Sequence, residues 1–124
     1  MSIDLQYNDN LGILYATCYP PMALEEFEDA LKRIVDSDEH PPDVPTLWDT
    51  RQVRWKNAHR GSLKQMIAIR EGFPCRGKAR LAILVAGDLG FGMSRMYEAF
   101  SHDLPQSIRV FRDQGKAEDW LLER

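Results

Sequence analysis

Six apolar residues run without a break from Leu81 to Ala86, Leu-Ala-Ile-Leu-Val-Ala, and no other feature of the chain restricts its fold as much. The run is too short for most helices and lacks the alternation of a half-exposed strand, so it reads as a central strand covered on both faces. A strand of that kind needs helices packed on the sheet, which points to an α/β protein. With 124 residues and 44% apolar content, residues 1–124 suffice for one domain with a real core and leave no room for a second.

The remaining elements follow from period and punctuation. Ile3, Leu5 and Tyr7 alternate with polar neighbours, Asn8-Asp9-Asn10 supplies turn chemistry, and Ile13 to Ala16 resumes a strand, which predicts an opening hairpin. Phe27, Ala30, Leu31 and Ile34, with acids at Glu25, Glu26, Glu28 and Asp29, predict a first helix over about 22–36. Thr46 to Asp49 reads as a short buried strand, and residues 50–59 as irregular. Leu63, Met66, Ile67 and Arg70 recur at helical spacing until Gly72 and Pro74. Gly87 to Gly92 reads as a turn, followed by a helix whose apolar stripe is Met93, Met96, Tyr97 and Phe100. Ile108 to Phe111 gives a last strand. Asp113 is placed to cap a final helix with Ala117, Trp120 and Leu121 on its inner face, and Trp120 is expected to be buried against the sheet. The order is ββαβαβαβα, a mixed sheet whose later strands are parallel.

These elements, the strand Arg80 to Ala86, the stretch Phe91-Gly92-Met93-Ser94-Arg95-Met96-Tyr97, and the ending Val110-Phe111-Arg112-Asp113 through Ala117-Glu118-Asp119-Trp120-Leu121 resemble the SpoIIAA-like proteins of the STAS/SEC14-type fold over nearly the whole chain. The resemblance implies a mixed five-stranded sheet flanked by helices. It also implies a role as an anti-sigma factor antagonist, a regulatory module or a small-ligand binder. In the antagonists a phosphorylated serine lies in an Asp-x-Ser-Gly motif where the third strand meets its helix. The matching place here reads Asp49-Thr50-Arg51-Gln52, with Gly61-Ser62 further on. Asp49 fits and the adjacent Ser-Gly does not, so Thr50 and Ser62 are the candidate phosphosites, against a structural role in which Asp49 satisfies backbone donors and Ser62 caps a helix.

Charge is distributed unevenly. Residues Arg51 to Arg80 hold nine Lys or Arg and one acid, whereas the first 50 residues hold eleven acids and two cations. Such asymmetry suggests a surface that meets something anionic. The candidate partner- or ligand-binding residues are Asp49, Thr50, Arg51, Arg54, Trp55, His59 and Arg60, because they follow a strand's carboxyl end, where open α/β sheets place ligands. An aromatic plane beside guanidinium groups can stack on a ring while the cations grip phosphate or carboxylate. The alternative is that Trp55 packs under the loop and the cations pair with the acidic N-terminal half.

Other chemistry is thin. Gly87, Gly90 and Gly92 match neither GxGxxG nor a Walker loop. Cys18 and Cys75 lack CxxC partners and read as reduced thiols, and His40 lies in a charged Pro-rich loop, so no metal and no cofactor are expected and the protein is read as a non-enzyme. A sequence pI near 5.6 argues against general nucleic-acid binding. No run approaches the roughly 20 apolar residues of a membrane span, and the start lacks a signal-peptide pattern, so a cytoplasmic location is expected. Two functional readings stand, in either of which the chain could act as a homodimer. One is a regulatory protein-interaction module. The other is a binder of a small anionic or acyl-bearing ligand in an apolar cleft with a basic rim.

Overall fold

In the computed structural model, residues 2–21, 23–55 and 60–123 are described, Arg60 by its backbone only. The order is β1 (Ile3–Asn8), β2 (Ile13–Cys18), α1 (Leu24–Asp36), β3 (Thr46–Asp49), α2 (Arg60–Glu71), β4 (Arg80–Leu84), α3 (Asp88–Phe100), β5 (Ser107–Phe111) and α4 (Gln114–Leu121). The five strands form one mixed sheet in sequential order, β1 antiparallel to β2 and every later pair parallel. This is the expected architecture. The hairpin closes as its residues dictate: Asn8 accepts from Leu11 N through its side chain at 3.1 Å and from Gly12 N through its carbonyl at 2.8 Å, and Gly12 takes a φ of 75°.

Strands added in one direction through connections of one hand must carry their crossover helices on one face. Accordingly α1, α2 and α3 cover one side of the sheet and α4 the other. On the three-helix side one row crosses the strands as Ala16, Trp48, Ile83 and Val110, and buried Phe27, Ala30, Leu31 and Ile34 of α1 pack against that side. On the opposite side Ile13, Leu47, Ala82 and Leu84 meet Ala117 and Leu121 of α4. Burial on both faces accounts for the unbroken apolar run of β4, and each fully buried Leu or Ile there contributes about 1.5–3 kcal/mol.

The boundaries depart from expectation in places. The helix α3 begins at Asp88, so Gly90 and Gly92 lie inside it rather than in a turn, and only Gly87, with φ 82°, sits outside as the residue before the helix. Helix α1 begins at Leu24, and α2 extends back to Arg60. A single 3-10 turn at Pro74–Arg76 separates α2 from β4. Asp113 caps α4 as expected, accepting from Lys116 N at 2.8 Å. Trp120, expected to be buried, is half-buried: Ala117 and Leu121 occupy the inner line, and Trp120 lies to one side against Phe111 and beneath the Arg80 guanidinium, 5.1 Å from its ring centre.

Candidate functional site

Strands β2, β3 and β4 run parallel and end at the same edge of the sheet, and there the three-helix side opens into a cavity of about 580 Å³. Cys18, Trp48 and Ile83 form its floor. Leu24 and Phe27 of α1, Leu63 and Met66 of α2, and Ser94 and Tyr97 of α3 form its sides, while Pro20, Pro21, Val53 and Trp55 complete the wall. The wall is mostly apolar. Both size and position suit a small-molecule site, since such cavities span roughly 300–1,000 Å³ and lie at strand carboxyl ends in open α/β sheets.

One buried charge stands in that wall among the described residues. Arg70, in the last turn of α2, is only 5% exposed, and its guanidinium lies 5.0 Å from the ring of Phe27, 5.2 Å from Trp48 and 5.8 Å from Tyr97. Its Nε donates to the Tyr97 hydroxyl. Among the described residues no carboxylate comes within ion-pair distance of it. Arg70 falls seven residues after Leu63 on the apolar stripe of its helix; a cation at an apolar position was the signal that could have singled it out. The basic stretch therefore does not make one uniform surface, because Arg70 and Arg76 point inward. Arg76 donates to the carbonyls of Pro42 and Val44 and to the Thr46 hydroxyl, tying down the loop before β3. Burial first and the Arg70 charge second, opposed by Asp43, together bring its guanidinium down to about 9.

Unpartnered donors collect at the same place. Among the described residues six buried side-chain polar atoms lack a hydrogen bond, and three belong to this wall: Trp48 Nε1, Trp55 Nε1 and Ser94 Oγ. All three atoms are shielded from solvent, Trp55 Nε1 against Gly90 of α3, and a buried donor left unpaired costs about 1–3 kcal/mol. Cys18 offers no nucleophile. Burial pushes its thiol up to about 12, Asp49 adds to the shift and Arg70 opposes it, so the group stays neutral at pH 7.

The residues singled out from the sequence divide between the cavity and its surroundings. Asp49 and Arg51 pair with each other: Arg51 Nε and Nη2 donate to the two carboxylate oxygens at 3.0 and 2.8 Å, and Arg51 N donates at 3.1 Å. Partial burial raises the Asp49 carboxyl, but its bonds to Arg51 and the charge of that guanidinium outweigh burial and hold it below the ordinary value. Thr50 is buried, and both its N and its Oγ1 donate to the Leu84 carbonyl at 2.9 Å, so its hydroxyl is committed to the sheet. Arg54 is exposed at the cavity wall. Trp55 is half-buried against the first turns of α3. Ser62, in the first turn of α2, also lines the cavity. His59 lies outside the described residues, as does the side chain of Arg60. Phe27, Trp48, Arg70, Ser94 and Tyr97 were not foreseen as site residues.

Among the described residues no cluster of three or more His, Cys, Asp or Glu is placed to hold a metal ion, and no helix is long and apolar enough to cross a membrane. No protein-family model matches the chain, and neither does any curated protein. Among solved structures it is similar to an uncharacterised protein of the DUF3478 family, described as having a SpoIIAA-like fold, from Shewanella loihica PV-4. The two share 19% sequence identity with a TM-score of 0.63 over 96% of this chain and 91% of that one. The chain has a SpoIIAA-like fold. In that SpoIIAA-like frame Thr50, Val53, Arg54 and Trp55, which follow β3, line the cavity, and Asp49-Thr50 is the place the sequence resemblance assigned to the phosphorylation motif.

Proposed function

We propose that this SpoIIAA-like protein is a non-enzymatic binding module for a small organic molecule, anionic or acyl-bearing, held in the cavity at the carboxyl ends of β2, β3 and β4. The observation that carries this reading is an apolar cavity of about 580 Å³ with the buried Arg70 in its wall. An enclosed apolar wall supplies affinity by removing apolar ligand surface from water, and the few polar groups set orientation. The non-enzymatic reading is supported by a Cys18 thiol that stays neutral at pH 7 and by a described wall in which no histidine takes part. Native mass spectrometry of protein purified from its own cells should show a small retained mass. Absence of any retained mass, together with no binding of hydrophobic anions to the purified protein, would remove the reading.

A second reading, a regulatory module that binds a protein partner in the manner of anti-sigma factor antagonists, is supported by the SpoIIAA-like fold and by one surface observation. The two large apolar side chains exposed among the described residues, Tyr19 at 38% and Leu89 at 54%, follow the ends of β2 and β4, on the edge where the cavity opens. The same mass measurement tests it, because a partner would appear as a stoichiometric protein mass and Leu89→Ser should reduce its retention.

A further inference from the structure

Resting on the ligand-binding reading, we propose that the cavity takes a monocarboxylate head first, with the carboxylate held inward by the Arg70 guanidinium and the apolar body filling the space toward Arg54. A buried cation is stable in a folded protein only when something compensates it. The three aromatic rings and the Tyr97 hydroxyl around Arg70 are neutral, and no carboxylate among the described residues reaches it. The ring faces attract the cation and offset part of the cost of its burial, and a bound anion would offset the rest. Asp49, at the end of β3 near by, is already engaged by both nitrogens of the Arg51 fork.

The inventory of hydrogen-bonding groups sharpens the class. A guanidinium and an indole N–H are donors only, and a hydroxyl serves in either direction. Arg70, the buried charged group of the wall, is a donor only, and its complement is an acceptor. Charge limits that acceptor to one negative unit. The second buried guanidinium, Arg76, is taken up by two carbonyls and a hydroxyl, and Arg54 is exposed, so among the described residues Arg70 is the buried cation of the wall and a dianionic phosphate monoester held by it would bury an excess charge. A carboxylate is planar and accepts both arms of a guanidinium fork side by side. Depth sets the direction of entry: Arg70 is 5% exposed while Arg54 is open to solvent, so a head bound by Arg70 lies inside and the apolar end faces the mouth.

The test is titration calorimetry on the full chain, freed of retained ligand on a hydrophobic resin, with octanoate, methyl octanoate, octanol, octylamine and octyl phosphate. Octanoate should bind about 10- to 100-fold more tightly than the ester and the alcohol, the range a charged hydrogen-bonded pair supplies. Added salt should change its affinity little, because a buried pair is poorly screened. Arg70→Met should bind acid and ester alike, and Arg54→Ala should keep the preference. Arg70→Lys, which keeps the charge and loses the fork, should retain a weaker preference and serves if the Met variant fails to fold. Equal binding of acid and ester by the parent, tighter binding of octyl phosphate, or no binding by any of the five would overturn the proposal. A loss of octanoate binding in Arg54→Ala coupled to salt sensitivity would overturn it too. A retained natural ligand in the mass measurement would survive each of those outcomes, which separates failure of the head-group assignment from failure of the binding-module reading.

Discussion

Trp55 occupies the space that a side chain at Gly90 would need. A Cβ built on Gly90 would stand 2.8 Å from Trp55 Nε1 and 2.9 Å from Cδ1, closer than real carbon contacts allow. Glycine inside a helix costs roughly 0.5–1 kcal/mol relative to alanine, and here that cost lets an indole lie against α3 and complete the cavity wall.

Gly90 and Gly92 therefore separate propensity from packing. Around Gly92 a Cβ would meet nothing within 4 Å. Gly92→Ala should raise the urea stability by roughly 0.5–1 kcal/mol. Gly90→Ala should fail to gain this, and should lose stability, because the indole must move. Equal stabilisation by both substitutions would show that Trp55 does not rest on α3.

Tyr97→Phe removes a single oxygen, yet it leaves the Arg70 Nε–H buried without its acceptor. The expected loss is about 1–3 kcal/mol in urea unfolding. In the double variant with Arg70→Met the same change should cost much less, because the donor is gone. Additive effects would sink the pairing.

The two thiols should react unequally. Cys75 is exposed and Cys18 is buried with its thiol pushed up to about 12. Native protein at pH 8 should release one equivalent of chromophore from a disulfide reagent quickly, and the second only in denaturant. Cys75→Ser should abolish the fast phase; two equal rates in the parent would contradict the burial of Cys18.

The Asp49–Arg51 pair gives a pH signature. Its folded carboxyl titrates below the ordinary 3.8, so the pair contributes stability that is present above that value and is lost as pH falls through the folded one. Arg51 is about half exposed, which limits the gain to at most about 1 kcal/mol. Arg51→Ala should be slightly less stable than the parent at pH 7, and the two melting curves should converge on acidification below 3.8. A gap that persists at low pH would mean that Arg51 acts through packing rather than charge.

What the chain shows before folding is whatever is encoded locally. The apolar run of β4, the Asn8 turn, the stripe of α1 and the cap at Asp113 each involve residues a few positions apart, and each element stands in the structure near its expected place. Sequential strands with one-handed connections then leave little freedom in sheet order, so the SpoIIAA-like topology was also legible. Gly90 was misread as a turn residue because what calls for glycine there is Trp55, which lies 35 positions before it in sequence. The cavity depended even more on tertiary structure. Arg70 reads locally as one more cation in a basic stretch, and only the meeting of Phe27, Trp48 and Tyr97 from α1, β3 and α3 turns it into a buried cation among rings, with no carboxylate partner among the described residues. Burial and pairing are properties of the packed molecule, since the cost of a charge is set by what surrounds it and not by its neighbours along the chain.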